Sequence, residues 1–188
     1  MVSTEQSAGG GPAPAADITA FWRAAGPQRW FAKDDAFDQA FTGRFLQAHY
    51  AAARREHDAW SRDPEGALAL MVLLDQFPRN AFRGTAHMFA TDPLALHYAR
   101  QALQDGLDMK VDADVRLFLY LPFMHSESLE DQLRCVALCD ALGQSQSYAQ
   151  EHLEIIARFG RFPHRNPALG RATTAEEQVF LDGGGFAG

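Results

Sequence analysis

The 188-residue chain has only two cysteines, Cys135 and Cys139, too few for a disulfide-built scaffold. Their four-residue spacing in a helical pattern puts them on one helix face, where a disulfide is geometrically feasible but unusual. Two thiols without further ligands at metal spacing also make a poor zinc site, so both read as buried packing residues in a reducing compartment. Long hydrophobic runs are missing too: the most apolar stretches, 67–74 and 117–124, are far too short to span a bilayer. The opening MVSTEQSAGGGPAPAA has neither a basic start nor an apolar stretch, which makes the cytoplasm the expected location. Positive charge is in deficit, with 17 Lys and Arg against 24 Asp and Glu and a net charge of -7, which argues against a general nucleic-acid binder. Alternating β-branched runs, Walker loops and G-x-S-x-G elbows do not occur, so half-buried strands, P-loop nucleotide binding and an elbow serine are not expected.

What the chain does contain is helical spacing. Residues 1–16 are rich in Gly, Ala, Pro and Ser with little to bury and read as a disordered tail, followed by one all-helical domain over 17–188. Phe37, Phe41 and Phe45 recur at every fourth position and continue to His49 and Ala53, one aromatic stripe on a long amphipathic helix. Asp63-Pro64 and Asp92-Pro93 each set a capping carboxylate before a proline whose missing N–H costs nothing there. Thr173 with Glu176 reads as a capping box, and Gly106, Gly143 and Gly160 as stops. The spacing predicts helices near 17–25, 35–57, 64–76, 92–105, 112–123, 127–142, 147–160 and 174–182. Stretches 68–74 and 115–124 are apolar on all sides and belong in the middle of a bundle. Segments 92–105 and 127–142 resemble one another, which suggests stacked antiparallel helix pairs of the tetratricopeptide type.

Polar residues concentrate in three places. LLDQFPRNAFR carries Asp75, Gln76, Arg79, Asn80 and Arg83; LPFMHSE carries His125, Ser126 and Glu127; RFGRFPHRNPALGR carries Arg158, Arg161, His164, Arg165, Asn166 and Arg171. The first two follow the central apolar segments, which should bring them together. Singly, such residues cap helix ends, and Pro78 orphans carbonyls that need partners. So many arginines are more than capping requires, and the planar guanidinium suits carboxylate and phosphate. Ser126 and Glu127 also look like an ordinary helix start. A metal at His125 would need His152 and His164, and no H-E-x-x-H or similar histidine pair at one-turn spacing occurs, so neither metal nor cofactor is expected. His49, His57, His87 and His97 lack acidic partners and read as surface or partly buried; Trp22, Trp30 and Trp60 read as packing.

RWFAKDDAFD, ALALMVLLDQFPRNAFRGTAHMFATD, LPFMHSESLEDQ and HLEIIARFGRFPHRNPALGRATTAEE resemble, in order, segments of the bacterial domain of unknown function family 924, over about Phe21 to Phe186. The resemblance implies a tetratricopeptide-like helical fold and no particular activity. It also implies that the family's signature polar positions are Asp75, Gln76, Arg79, Asn80 and Arg83, then His125, Ser126 and Glu127, then Arg161, His164, Arg165 and Asn166.

Three functions are in competition. The first is a helical binding domain holding an anionic small molecule or peptide carboxylate among its arginines. The second is a hydrolase or transferase acting on an anionic substrate, with His125 or His164 as general base and Asp75 or Glu127 orienting it. The third is a buried polar network that only fixes helix register. Asp75 is expected to pair with an arginine of the third cluster, and Arg79, Arg83, Arg161 and Arg165 to share a pocket with His125. Arg165, in a loop between two prolines, is expected to be dispensable for folding.

Overall fold

The computed structural model describes residues 13–186, and every regular element among them is helical. Of the tail expected over 1–16, residues 1–12 lie outside the described residues, and Ala15 and Ala16 belong instead to the first helix. The order is α1 Ala15–Ala25, α2 Pro27–Trp30, α3 Asp35–Ala53, α4 Pro64–Met71, α5 Phe77–Ala81, α6 Asp92–Gln104, α7 Leu121–Met124, α8 Leu129–Leu142, α9 Gln146–Phe159 and α10 Ala175–Asp182, joined partly by 3-10 turns.

Local chemistry starts most of these helices where the sequence suggests. Asp34 caps α3 by accepting the N–H groups of Ala36 and Phe37 at 3.0 and 3.1 Å. Asp63 caps α4 by accepting from Gly66 at 2.9 Å, with Pro64 in the first turn. Gly66 is obligatory there, because an added Cβ would lie 2.3 Å from the Trp60 carbonyl oxygen. The capping box of α10 is Thr174 with Glu177, one residue later than expected from Thr173 and Glu176. The third long helix ends at Ala53 rather than near 57, because Arg55 takes the left-handed conformation at φ 65°.

The core surrounds α4, whose residues from Ala67 onward are fully buried, and which packs against α1 and α6. The phenylalanine stripe of α3 meets Phe21 and Trp22 of α1 at ring separations of 5.3 to 6.1 Å. Phe37, Phe41, Phe45, Leu70, Leu73, Leu74, Phe118 and Leu121 are all buried, as their spacing requires. Each side chain of this size contributes roughly 1.5–3 kcal/mol by leaving water. Cys135 and Cys139 are buried free thiols with sulfurs 3.9 Å apart. No helix among the described residues is long and apolar enough to cross a membrane.

Two departures from the expected helices shape the site. The helix entered at Pro64 does not stop near 76. It loosens into a π turn over Val72–Gln76, where the Phe77 N–H bonds to the Val72 carbonyl, and resumes as α5. Pro78 has no N–H to return, so carbonyls behind it need other donors. His49 Nδ1 donates to the Leu73 oxygen at 2.9 Å, and Thr91 Oγ1 to the Leu74 oxygen at 2.6 Å. His49 is therefore fully buried in a structural role, contrary to its expected position at or near the surface. The second departure is at 112–123, expected as one helix. It is a 3-10 turn over Arg116–Leu119 followed by the single turn α7, because the Pro122 ring cannot follow an α-helical Phe118 carbonyl.

Candidate functional site

The π turn and the end of α7 meet beside a cavity of about 370 Å³. The wider turn keeps Asp75 helical while turning its carboxylate inward, where the side chain is 1 % exposed. His125, the residue that closes α7, sets Nδ1 2.7 Å from Asp75 Oδ1. Gln76 Nε2 donates to Asp75 Oδ2 at 2.6 Å, and Arg79 Nη1 lies 3.3 Å from Oδ1 while donating to the Asp75 backbone oxygen at 2.7 Å. His125 Nε2 has no partner among the described residues, and His125 lines the cavity.

A second carboxylate organises the arginines. Arg79 grips Asp92 in a bidentate pair at 2.8 and 3.0 Å, and Arg165 Nη1 reaches the same carboxylate at 3.3 Å. The Arg165 guanidinium lies between two aromatic faces, 4.7 Å from the Phe89 centroid and 4.5 Å from that of Phe162. Its Nη2 makes no hydrogen bond among the described residues. Arg83 and Asn80 both bond to Asp38 of α3, at 2.9 and 2.6 Å. His152 and His164 complete the polar lining; Phe186 packs edge-on against both, with centroids 4.5 and 5.1 Å away.

Burial and neighbouring charge set the protonation states. For Asp75 burial acts to raise the carboxyl, but Arg79 and the His125 hydrogen bond outweigh it and hold the group down at about 2. His125 is pushed below its ordinary value by burial and by Arg79, against the pull of Asp75. At neutral pH the pair is therefore carboxylate and neutral imidazole. Nδ1 carries the proton and donates it to Asp75, leaving the Nε2 lone pair open to the cavity. Burial, with adjacent cationic groups, also lowers His152 to about 4 and His164 to about 3. Burial lowers Arg165 to about 10, which leaves it charged.

The third cluster is divided between two tasks. His164 and Arg165 reach the cavity, but Arg161 does not: it forms a bidentate pair with Glu177 at 2.6 and 2.8 Å. Arg158 bonds to Glu176 on the surface, and Asn166 to Glu177 and Thr173. Glu127 is held by Arg171 at 2.8 and 3.0 Å and accepts the Phe162 N–H at 2.8 Å, which pins the 160–171 loop. Ser126 donates to Asp131, which also pairs with Arg100. The expected pocket of four arginines thus holds three. Asp75 is paired with Arg79 of its own cluster and with His125 rather than with an arginine of the third, and Arg165 is 6 % exposed rather than a free loop residue. Among the described residues no group of three His, Cys, Asp or Glu could hold a metal ion.

Several site residues carried no clear sequence signal. Asp92 read as a helix cap, yet Thr91 occupies the cap position and Asp92 spends its carboxylate on Arg79 and Arg165. Trp30, Phe31, Phe89 and Phe186 line the cavity but were indistinguishable from packing aromatics.

Over residues 18–185 the chain matches the family model described as bacterial protein of unknown function (DUF924). The chain belongs to the DUF924 family. It is also similar to a solved structure of a protein of unknown function from Agrobacterium tumefaciens. The two share 55 % identity over 90 % of this chain and 97 % of that one, with a TM-score of 0.88. No curated protein matches the chain. Asp75, His125 and Arg165 all lie within the DUF924 match.

Proposed function

We propose that the cavity binds an anionic small molecule and that His125 acts on it as a general base. The observation that carries this reading is the 2.7 Å contact between His125 Nδ1 and a carboxylate enclosed by protein, with Nε2 left open to a cavity of about 370 Å³. A carboxylate in that position fixes the imidazole tautomer and steadies the imidazolium that forms when Nε2 takes a proton. The volume lies within the usual range of about 300–1000 Å³ for small-molecule sites. The ligand anion has a charged donor in Arg165 Nη2, stacked and held in place by Phe89 and Phe162.

The binding-domain and enzyme readings share this anion; the Asp75–His125 pair favours the enzyme, since passive binding needs no base with an oriented lone pair. A tetratricopeptide-like concave face would suit binding equally, but a cavity of about 370 Å³ suits a small molecule better than a peptide. For Ser126, Glu127, Arg158, Arg161 and Asn166 the reading is structural, because each is engaged in pairs that fix loops and helix starts. Buried free thiols fit a reducing setting such as the cytoplasm.

The test is turnover of a panel of esters, amides and thioesters that each bear a separate carboxylate, by the full chain beside His125→Gln and Arg165→Gln. Turnover lost in His125→Gln, with KM raised in Arg165→Gln, is the expected result. Equal rates in all three proteins, or the absence of both turnover and anion binding, would overturn the reading.

A further inference from the structure

The cavity lining combines two kinds of residue. One is polar, with Gln76, Arg79, His125, His164 and Arg165; the other is apolar, with Trp30, Phe31, Leu117, Leu121 and Met124. Phe31 is 63 % exposed at the mouth although it stacks on Phe118 at 6.0 Å. Tyr148, another lining residue, is 60 % exposed. An aromatic ring left in water beside a cavity with apolar lining residues is a surface that a ligand can cover.

The polar lining carries little surplus charge. Arg79, Arg83 and Arg165 are matched by Asp75, Asp92 and Asp38 at contacts of 2.8 to 3.3 Å. The incoming anion therefore meets guanidiniums that already face carboxylates: Arg165 holds Asp92 through Nη1 at 3.3 Å and Arg83 holds Asp38 through Nε at 2.9 Å, and each keeps one Nη unpaired among the described residues. A phosphate or diphosphate would bring a second negative charge toward Asp75 and Asp92, whose charges already offset those of Arg79 and Arg165.

Resting on the anion-site reading above, we propose that the ligand is a small monoanion with an uncharged apolar body, of the arylalkyl carboxylate class. Its carboxylate sits at Arg165, within reach of His125, and its ring lies against Trp30, Phe31 and Leu117. The charge balance decides for one negative charge, and the apolar lining for a ring over a sugar or a second polar group.

Calorimetric titration of the full chain with acetate, phenylacetate, phenylacetamide, phosphate and pyrophosphate tests this. Phenylacetate is expected to bind about ten- to a hundredfold more tightly than acetate, the gain from burying a ring of that size. It should also bind more tightly than phenylacetamide and either phosphate. Phe31→Ala, at an exposed position, should weaken phenylacetate several-fold and leave acetate unchanged. Acetate equal to phenylacetate, or phosphate or pyrophosphate binding more tightly than phenylacetate, overturns the inference and leaves the anion site standing. Phenylacetamide equal to phenylacetate, or no binding by any anion, refutes the anion site and the inference with it.

Discussion

Lowering the pH from 7 to 5 should destabilise this protein before its carboxylates begin to titrate. His152 is held near 4 by burial, then by His125, Arg165 and Arg79; His164 is held near 3 by burial, then by Arg165, His152 and Arg79, with Glu127 pulling the other way. His125 is lowered as well. Between those values and the ordinary 6.5 the unfolded chain binds protons that the folded chain refuses. The stability these groups contribute is therefore complete above about 6.5 and is lost as the pH falls toward their folded values. From pH 7 to 5 the loss is about 2 kcal/mol for the buried His152 and somewhat less for the partly exposed His164, or about 3 kcal/mol together. That is a large share of a typical folding free energy of about 5–15 kcal/mol. Urea melts at half-unit pH steps would measure it, with His152→Gln/His164→Gln as the control whose profile should be much flatter. An unchanged urea midpoint between pH 7 and 5 would refute the assignment of neutral, buried imidazoles.

Other substitutions test separate parts of the structure. Asp75→Ala removes the acceptor for His125 and Gln76 and one of the two carboxylates on Arg79, and should cost about 3–5 kcal/mol in a denaturant melt. Phe118→Ala empties a site bounded by Trp22 and Trp30 in edge contacts of 5.2 and 5.0 Å, and should also cost about 3–5 kcal/mol. Thr91→Val strips the Leu74 carbonyl of its donor beside Pro78. A loss of about 1–3 kcal/mol is expected, and a melt identical to the parent would show that the carbonyl has another partner.

The helical class, the aromatic stripe and the buried α4 were legible because each rests on spacing along a single segment. Phe37, Phe41 and Phe45 need only a period near four residues to declare a face. The π turn was not legible: Pro78 announces a fault, but whether the helix ends or loosens depends on donors from His49 and Thr91, which lie 24 and 17 residues away from their acceptors. The same limit governs the site. The convergence of Asp75, Arg79, Arg83 and His125 followed from two apolar segments ending together. Arg161 was indistinguishable from Arg165 in sequence, and only Glu177 against Asp92 as partner separates a loop clamp from a cavity residue. Asp92 was hidden because aspartate before proline has an ordinary explanation as a cap. Its true partners come from 13 residues before it and 73 after.

The most direct test of the site is the protonation of His125 itself. Long-range ¹H–¹⁵N correlation spectra at pH 7 distinguish a protonated from an unprotonated ring nitrogen, and His125→Gln assigns the signals. The structure requires a neutral ring with the proton on Nδ1, facing Asp75, and a bare Nε2 facing the cavity. A proton on Nε2 alone, or on both nitrogens at pH 7, would contradict the general-base assignment.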